Sequence, residues 1–552
     1  MTSSPRSALW SAGAALTLTL LLAGCEELVY RDKELFNPPP DTVSGFLGYF
    51  NAAEKQTTCG NCHKGKQVEW SGTGHSHAWA DLQASGSAQD FCEPCHSVNE
   101  QGNAVTIAAG HNVVKDSAYY DVQCESCHGP GATHLQGPEN VQPLASIAVD
   151  TGLTNGCGEC HTGSHNPFVE EWSQSKHGFG GHTWSTYYNR DPCKNCHESR
   201  EALRVNFEGF DPRLTGQAGG PKGVYLEASI AGAAGAQQTA VCAVCHDPHS
   251  ATNEGQLRAP LGEPEEEQVC IHCHRREGHI APGMATRRGP HGAQGLVVID
   301  EDIGWKPPNW PYERLLPSHA ANNPRLCAAC HVTPFTINDA SGNFVKNYTG
   351  HLFEAIPCID QTTGEPIPGG SCDHEERYFG GCAVSGCHTS VTAAQTAFSV
   401  IEARLNYLTD VLWADTDADG KMEATDGGLL PKVLAQAIAG SNRNVMNLYD
   451  ATFTEAEGAI WNAQLATTHE RSYWMNFIID GQNTCSTAGC TTGGGNNTGH
   501  WSSGGGAHNP FLLEALLIES IKAIQSTYGL APNQSIDLTL HSTPPAGVSA
   551  AR

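Results

Sequence analysis

The sequence predicts a mainly α and irregular fold, rich in short helices and turns, that ends in a more regular helical region. Three observations lead there. Apolar residues make up only 39% of the 552 positions and aromatics 7%, a thin stock for conventional cores at this length. Glycine (60) and proline (31) are frequent, which favours turns over long regular elements. Cysteine (23) and histidine (27) are then the side chains left to organise the chain. The charged fraction, 16%, is too low for a disordered polyelectrolyte. The net charge is −27, from 31 basic and 58 acidic residues, which argues against nucleic acid as a partner because phosphate binding needs a basic surface.

Residues 1–24 read as a secretory signal. Arg6 gives the positive start, and the apolar run from Ala8 to Leu22 is too short to span a membrane. The run closes in Leu22-Ala23-Gly24-Cys25, which resembles the lipobox of bacterial lipoproteins, so Cys25 is the expected lipidation site. Residues 25–58, with Pro38-Pro39-Pro40, form a tether that is stiff in part.

Sixteen of the other cysteines fall into eight C-x-x-C pairs, each followed at once by histidine. They are Cys59/Cys62/His63, Cys92/Cys95/His96, Cys124/Cys127/His128 and Cys157/Cys160/His161, then Cys193/Cys196/His197, Cys242/Cys245/His246, Cys270/Cys273/His274 and Cys327/Cys330/His331. C-x-x-C-H is the attachment signature of c-type haem. Two thiols at this spacing can form thioethers to the two vinyl groups of one porphyrin, and the next residue carries an imidazole beneath the ring to the iron. Zinc ribbons also use C-x-x-C pairs, but zinc gives no reason for a histidine after every one.

A ninth motif, Cys382-Ala-Val-Ser-Gly-Cys387-His388, has four residues between its cysteines and is assigned to haem by analogy with multihaem cytochromes that use a longer spacing. The alternative there is a small disulfide loop. Cys358 and Cys372 lack a following histidine and are expected to form a disulfide. Cys485 and Cys490 are read as a local disulfide in preference to a tenth haem, because Thr491 follows them.

Nine proximal histidines leave 18 others. Trp70-x-x-Thr73-x-His75 follows the first motif and Trp172-x-x-Ser175-x-His177 the fourth, an internal repeat of 59–134 in 157–249. Cys124-x-x-Cys127-His128-Gly-Pro-Gly-Ala-Thr-His134 sits between them. In these segments the chain resembles the cytochrome c-554, hydroxylamine oxidoreductase and nitrite reductase superfamily. The resemblance covers residues 59–250 and makes His75, His134 and His177 distal haem ligands. His246-Asp-Pro-His249 resembles a C-H-x-P-H pattern in which the second histidine serves a neighbouring haem, and His508-Asn-Pro resembles the head of a terminal helix in pentahaem nitrite reductases. His291, His319 and His351, each of which precedes a haem motif, are further distal candidates, while His165 and His111 compete for the last place. The remaining histidines, among them His77, His182, His272, His279, His374, His469, His500 and His541, read as surface or hydrogen-bonding residues.

Residues 59–390 therefore form the nine-haem region, with short helices around a covalent haem chain and few strands. Residues 391–552 form the helical C-terminal region: 393–413 and 509–528 carry apolar residues at helical spacing. Between them Asp415, Asp417, Asp419 and, at the twelfth position, Asp426 match the oxygen-ligand spacing of a calcium loop, with a solvated acidic turn as the alternative.

The expected function is electron transfer along closely spaced bis-histidine haems at the bacterial cell envelope, in a lipid-anchored protein of the outer membrane, on its periplasmic face or at the cell surface. Redox proteins or extracellular acceptors are the expected partners, and nucleic acid is not. The alternative is an oxidoreductase of the nitrite reductase or hydroxylamine oxidoreductase kind. Such enzymes need one iron with an open position, often marked by C-x-x-C-K, and that motif is absent from the sequence. A subunit of an extracellular cytochrome filament is disfavoured by the lipid anchor.

Overall fold

The computed structural model describes residues 36–143, 156–163, 167–178, 195–197, 199–207, 240–262, 265–282, 289–360, 362–367, 372, 376–384, 386–441, 445–447, 452–480, 494–498 and 506–541. Cys25, Cys193, His165 and the Cys485/Cys490 pair lie outside the described residues.

Through residue 390 the helical pieces are short, none longer than eight residues among those described. Most of the described haem motifs form a short helical turn. The amide of His63 returns to the carbonyl of Cys59 (2.9 Å), and the same bond closes at His161, His246, His274 and His331. This turn lays both thiols and the imidazole around one small surface. In the ninth motif His388 N reaches Cys382 O (3.2 Å), so the longer loop also returns its histidine to its first cysteine.

Two motifs are followed by a one- to two-turn helix ending the Trp-x-x-Ser/Thr segment: α1 (Lys64–Trp70) and α2 (Phe168–Gln174). Two small antiparallel pairs occur in this region, β1 (Tyr49–Asn51) with β2 (Gln56–Thr57) and β3 (Phe335–Asn338) with β4 (Phe344–Tyr348). Cys358 and Cys372 are bridged, as expected. Apolar packing here is divided among small clusters, such as Phe46, Val98, Ala109 and Tyr119.

The C-terminal region is different. Four helices, α3 (Val391–Leu412), α4 (Leu430–Ala439), α5 (Glu455–Ala466) and α6 (Pro510–Thr527), share the largest apolar core. Trp413, Trp461 and Trp474 are fully buried in it. A third sheet, β5 (Lys421–Met422), β6 (Asn476–Asp480) and β7 (Gly494–Thr498), lies beside them. Helices α3 and α6 fall where the apolar spacing put them. Helices α4 and α5 were not singled out in the sequence, although the Thr454/Glu457 capping box that starts α5 was a readable signal. Every residue of α5 after Glu455 is buried, so it shows no one-sided apolar stripe.

The same core takes in Ile280, Ala293, Val297, Ile303, Trp305 and Leu315, which flank the seventh motif. Asn462 on α5 accepts from Trp305 N (2.7 Å) and donates to Trp305 O (2.8 Å). The C-terminal helices are thus welded to segment 280–315, which lies between the seventh and eighth motifs.

Candidate haem sites

The sites are numbered 1 to 9 in the order of their motifs. An imidazole nitrogen lies about 2 Å from a first-row metal and its ring centroid about 1.1 Å further out, so two axial imidazoles on one iron have centroids roughly 6.2 Å apart. Eight motif histidines face a second histidine at this separation. The pairs are His63–His134 (6.3 Å), His128–His249 (6.1 Å), His161–His75 (6.1 Å) and His197–His291 (6.1 Å), with His246–His351 (6.4 Å), His274–His177 (6.1 Å), His331–His508 (6.1 Å) and His388–His319 (6.2 Å). Direct contact would bring such rings much closer. The gap is the width an iron and its two coordinate bonds require, so the residues fit a c-type haem at each of these sites.

Two kinds of local structure hold the rings. The first is a bond from Nδ1–H, which leaves Nε2 free to face a metal. His96 donates to Ala78 O (2.7 Å), His246 to Gly255 O (2.6 Å) and His331 to Phe353 O (2.9 Å). Opposite them, His134 donates to Val141 O (2.6 Å) and His319 to Ala507 O (2.8 Å). The second is burial, which disfavours the imidazolium. It pushes His75, His128 and His351 down to about 4 and His177 to about 3, with neighbouring imidazoles adding to the effect. Neutral imidazole is the form that ligates iron.

The Trp-x-x-Ser/Thr-x-His segments now have a physical reading. Trp70 Nε1 donates to Val122 O (3.0 Å), two residues before Cys124, and Trp172 Nε1 donates to Ala240 O (2.8 Å), two residues before Cys242. The hydroxyls of Thr73 and Ser175 bond back to the carbonyls of Trp70 and Trp172, which ends each helix and turns the histidine away. His508 precedes the N-cap of α6. Asn509 accepts from Leu512 N and donates to Val297 O and Leu315 O, and Pro510 takes the first helical position.

Two expectations need correction. His111 is not brought to a motif histidine. Its Nε2 lies 3.3 Å from Glu93, its ring packs edge-on against Trp79, and it is 1% exposed, so it is an internal residue of the second motif's surroundings. Among the described residues no second histidine faces His96 at the spacing seen elsewhere. Asp415, Asp417 and Asp419 do converge, each offering a carboxylate oxygen within 4.8 Å of the others. Asp426 does not join them. It accepts from Trp413 Nε1 (3.0 Å), Thr416 Oγ1 (2.9 Å) and Glu423 N (3.0 Å), which ties the two ends of the loop together instead. Two residues were missed altogether. Buried Glu125 accepts from Leu47 N, Gly48 N and Gly131 N, and buried Glu171 accepts from Thr349 and His351. A glutamate inside or after a motif gave no sign of partners so far away in sequence.

Comparison with known families agrees with the geometry. Residues 58–129, which hold sites 1 to 3, match the family described as cytochrome c554 and c-prime, and residues 234–289, which hold sites 6 and 7, match the doubled CXXCH motif family. The chain is a multihaem c-type cytochrome. It is 24% identical over 241 residues to the C-type polyheme cytochrome OmcB of Geobacter sulfurreducens, covering 44% of this cytochrome and 24% of OmcB. It thus spans about a quarter of that relative's length. It is 24% identical over 326 residues to the multiheme cytochrome MtrA of Shewanella baltica, covering 53% of this chain and 83% of MtrA. Among solved structures, the outer cell wall cytochrome OcwA aligns with a TM-score of 0.40 and 17% identity, over 81% of this chain and 78% of OcwA.

Proposed function

We propose that this cytochrome carries electrons along nine c-type haems, and that it does so from a lipid anchor at the bacterial cell envelope. The observation that supports this most directly is the set of eight histidine pairs separated by 6.1–6.4 Å. Haem supplies one-electron chemistry, and a second strong-field imidazole leaves no position for a substrate. His75, His134, His177, His249, His291, His319, His351 and His508 are assigned as distal ligands on this ground. The return of the His388 amide to Cys382 O and the 6.2 Å separation of His388 from His319 support the ninth haem.

The assignment to the envelope, on either face of the outer membrane, follows from the lipobox at Cys25. No helix of the described residues is long and apolar enough to cross a membrane. Redox proteins or extracellular acceptors would then be the partners. We also propose calcium at Asp415, Asp417 and Asp419, where the ion would stiffen the turn between α3 and α4.

The test is a haem count by mass together with the spin state of the irons. Nine haems with at least eight low-spin irons are expected. Eight haems would remove site 9, and several high-spin irons would sink the carrier reading. An enzyme remains the second reading on one specific observation, the lack of a second histidine opposite His96 among the described residues. One high-spin iron that binds nitrite or hydroxylamine would favour it.

A further inference from the structure

Adjacent sites can be read from the thiols, because each thiol marks the attached edge of one porphyrin. The Cys59 and Cys124 thiols are within hydrogen-bonding reach of each other, joining sites 1 and 3. Cys157 meets Cys242 in the same way, joining sites 4 and 6, and Cys270 meets Cys327, joining sites 7 and 8. In all three pairs the first cysteine of one motif lies near the first cysteine of the other. Two further contacts join second cysteines, Cys95 with Cys160 (sites 2 and 4) and Cys196 with Cys273 (sites 5 and 7). At slightly longer range Cys127 faces Cys157, Cys245 faces Cys270, and Cys330 faces both Cys382 and Cys387. These link sites 3 and 4, 6 and 7, and 8 and 9.

The links repeat with a period of three motifs. Sites 1, 2, 3 and 4 are connected as sites 4, 5, 6 and 7 are. The repeat is seen independently in the anchors: Trp70 holds the carbonyl two residues before site 3, and Trp172 holds the carbonyl two residues before site 6. The shared histidines run along the same path. His75, just after site 1, faces the site 4 histidine, and His177, just after site 4, faces the site 7 histidine. His319, just before site 8, faces the site 9 histidine. In the last repeat the branching motif is missing, and the chain goes from site 7 to 8 to 9.

We infer that the nine haems form one trunk in the order 1, 3, 4, 6, 7, 8, 9, from which sites 2 and 5 branch, so that electrons cross the molecule without visiting either branch. This rests on the electron-transfer reading above. With haem held at each site, each step would pass one electron from a reduced site to the oxidised site beside it. An external one-electron reductant supplies it at one end, and an external one-electron oxidant removes it at the other. Cys62 of site 1 and Cys387 of site 9 are exposed residues, as is Cys330 of site 8, so both ends of the trunk are open to a partner. Chain order and electron order therefore differ.

Two experiments test the inference on the holoprotein. The first is an iron map from anomalous scattering. The trunk with two branches has four irons with a single near neighbour and two irons with three. A map with only two ends, as a simple row of nine would give, overturns the inference. This needs no variant and is indifferent to whether the protein carries electrons.

The second is kinetic. A ruthenium photoreductant is attached at Val68→Cys, an exposed position on α1 next to site 1. His319→Met at site 9 gives that iron methionine ligation, with a distinct absorption band and a raised potential. Removing the branch haem at site 5 (Cys193→Ala with Cys196→Ala) should change the rate of arrival at site 9 less than two-fold. Removing the trunk haem at site 6 (Cys242→Ala with Cys245→Ala) should slow it at least ten-fold. Equal slowing in both overturns the inference. A correct iron map with no arrival in the parent protein would instead overturn the electron-transfer reading.

Discussion

Glu171 shows how a single buried carboxylate can place a ligand of another site. It sits on α2 and is 2% exposed, yet it accepts from Thr349 N (2.7 Å), Thr349 Oγ1 (2.8 Å) and His351 N (2.8 Å), all nearly 180 residues further on. Thr349 Oγ1 in turn lies 3.0 Å from His351 Nδ1 and can accept its proton, which orients the ring toward the site 6 histidine. Burial pushes the Glu171 carboxyl up, and these bonds pull it back down. Glu171→Gln keeps the shape but turns an amide N–H₂ toward donors. The expected loss is about 2 kcal/mol, read from the midpoint of guanidinium unfolding, because buried groups left unpaired cost about 1–3 kcal/mol each. His351 should also be less well held, so the low-spin signal of one iron should broaden; an unchanged midpoint and spectrum would show that Glu171 is incidental. Some of the histidines were readable in the sequence because they sit in short segments close to a motif, as His75, His134, His177 and His249 do. Glu171 and Glu125 were not, since a carboxylate's value depends on which backbone amides folding brings to it.

At the scale of elements, the C-terminal helices are set by caps as much as by apolar stripes. Asn509 caps α6, ties it to Val297 and Leu315, and stands next to His508. Asn509→Ala should cost about 3 kcal/mol, from a lost cap of about 1 kcal/mol and two buried carbonyls left without donors. Asn509→Asp restores the acceptor for Leu512 N but not the two donations, so thermal unfolding should show less than half of the loss recovered. Full recovery would mean that the cap alone matters. The loop between α3 and α4 is the other element with a decisive test. Asp415, Asp417 and Asp419 converge, and Lys421 Nζ lies 2.7 Å from Asp419. If calcium binds here, saturating ion at a hundred times its dissociation constant stabilises the fold by about 2.7 kcal/mol. Calcium should therefore raise the melting temperature of the parent protein but not of Asp417→Asn, and equal curves would leave a solvated acidic turn. The loop was legible from aspartate spacing alone, but the role of Asp426 was not: spacing cannot tell a ligand from a side chain already engaged by Trp413 and Thr416.

For the whole molecule, the sparse apolar composition and the crowding of motifs are two sides of one design. Small separate clusters suffice where porphyrins fill the space between short helices, and only the C-terminal helices build a conventional core. That division was visible in where the motifs stop. The fusion of residues 280–315 with that core was not, because it depends on Asn462 and Asn509, whose partners lie about 150 to 210 residues away. The acidic balance, −27 before any haem propionates are counted, is also a property of the whole and has a measurable consequence. Long-range attraction raises the encounter rate of a cationic reductant and lowers that of an anionic one. The Debye length shrinks from about 30 Å at 0.01 M salt to about 8 Å at 0.15 M, so both effects fade over this range. Stopped-flow reduction by a cationic metal complex should slow by about ten-fold on this salt increase, and reduction by an anionic complex of similar potential should speed up. Slopes of opposite sign are the signature of steering by net charge. Slopes with the two signs exchanged would instead place a local basic patch at the point of electron entry, against the overall charge of the chain.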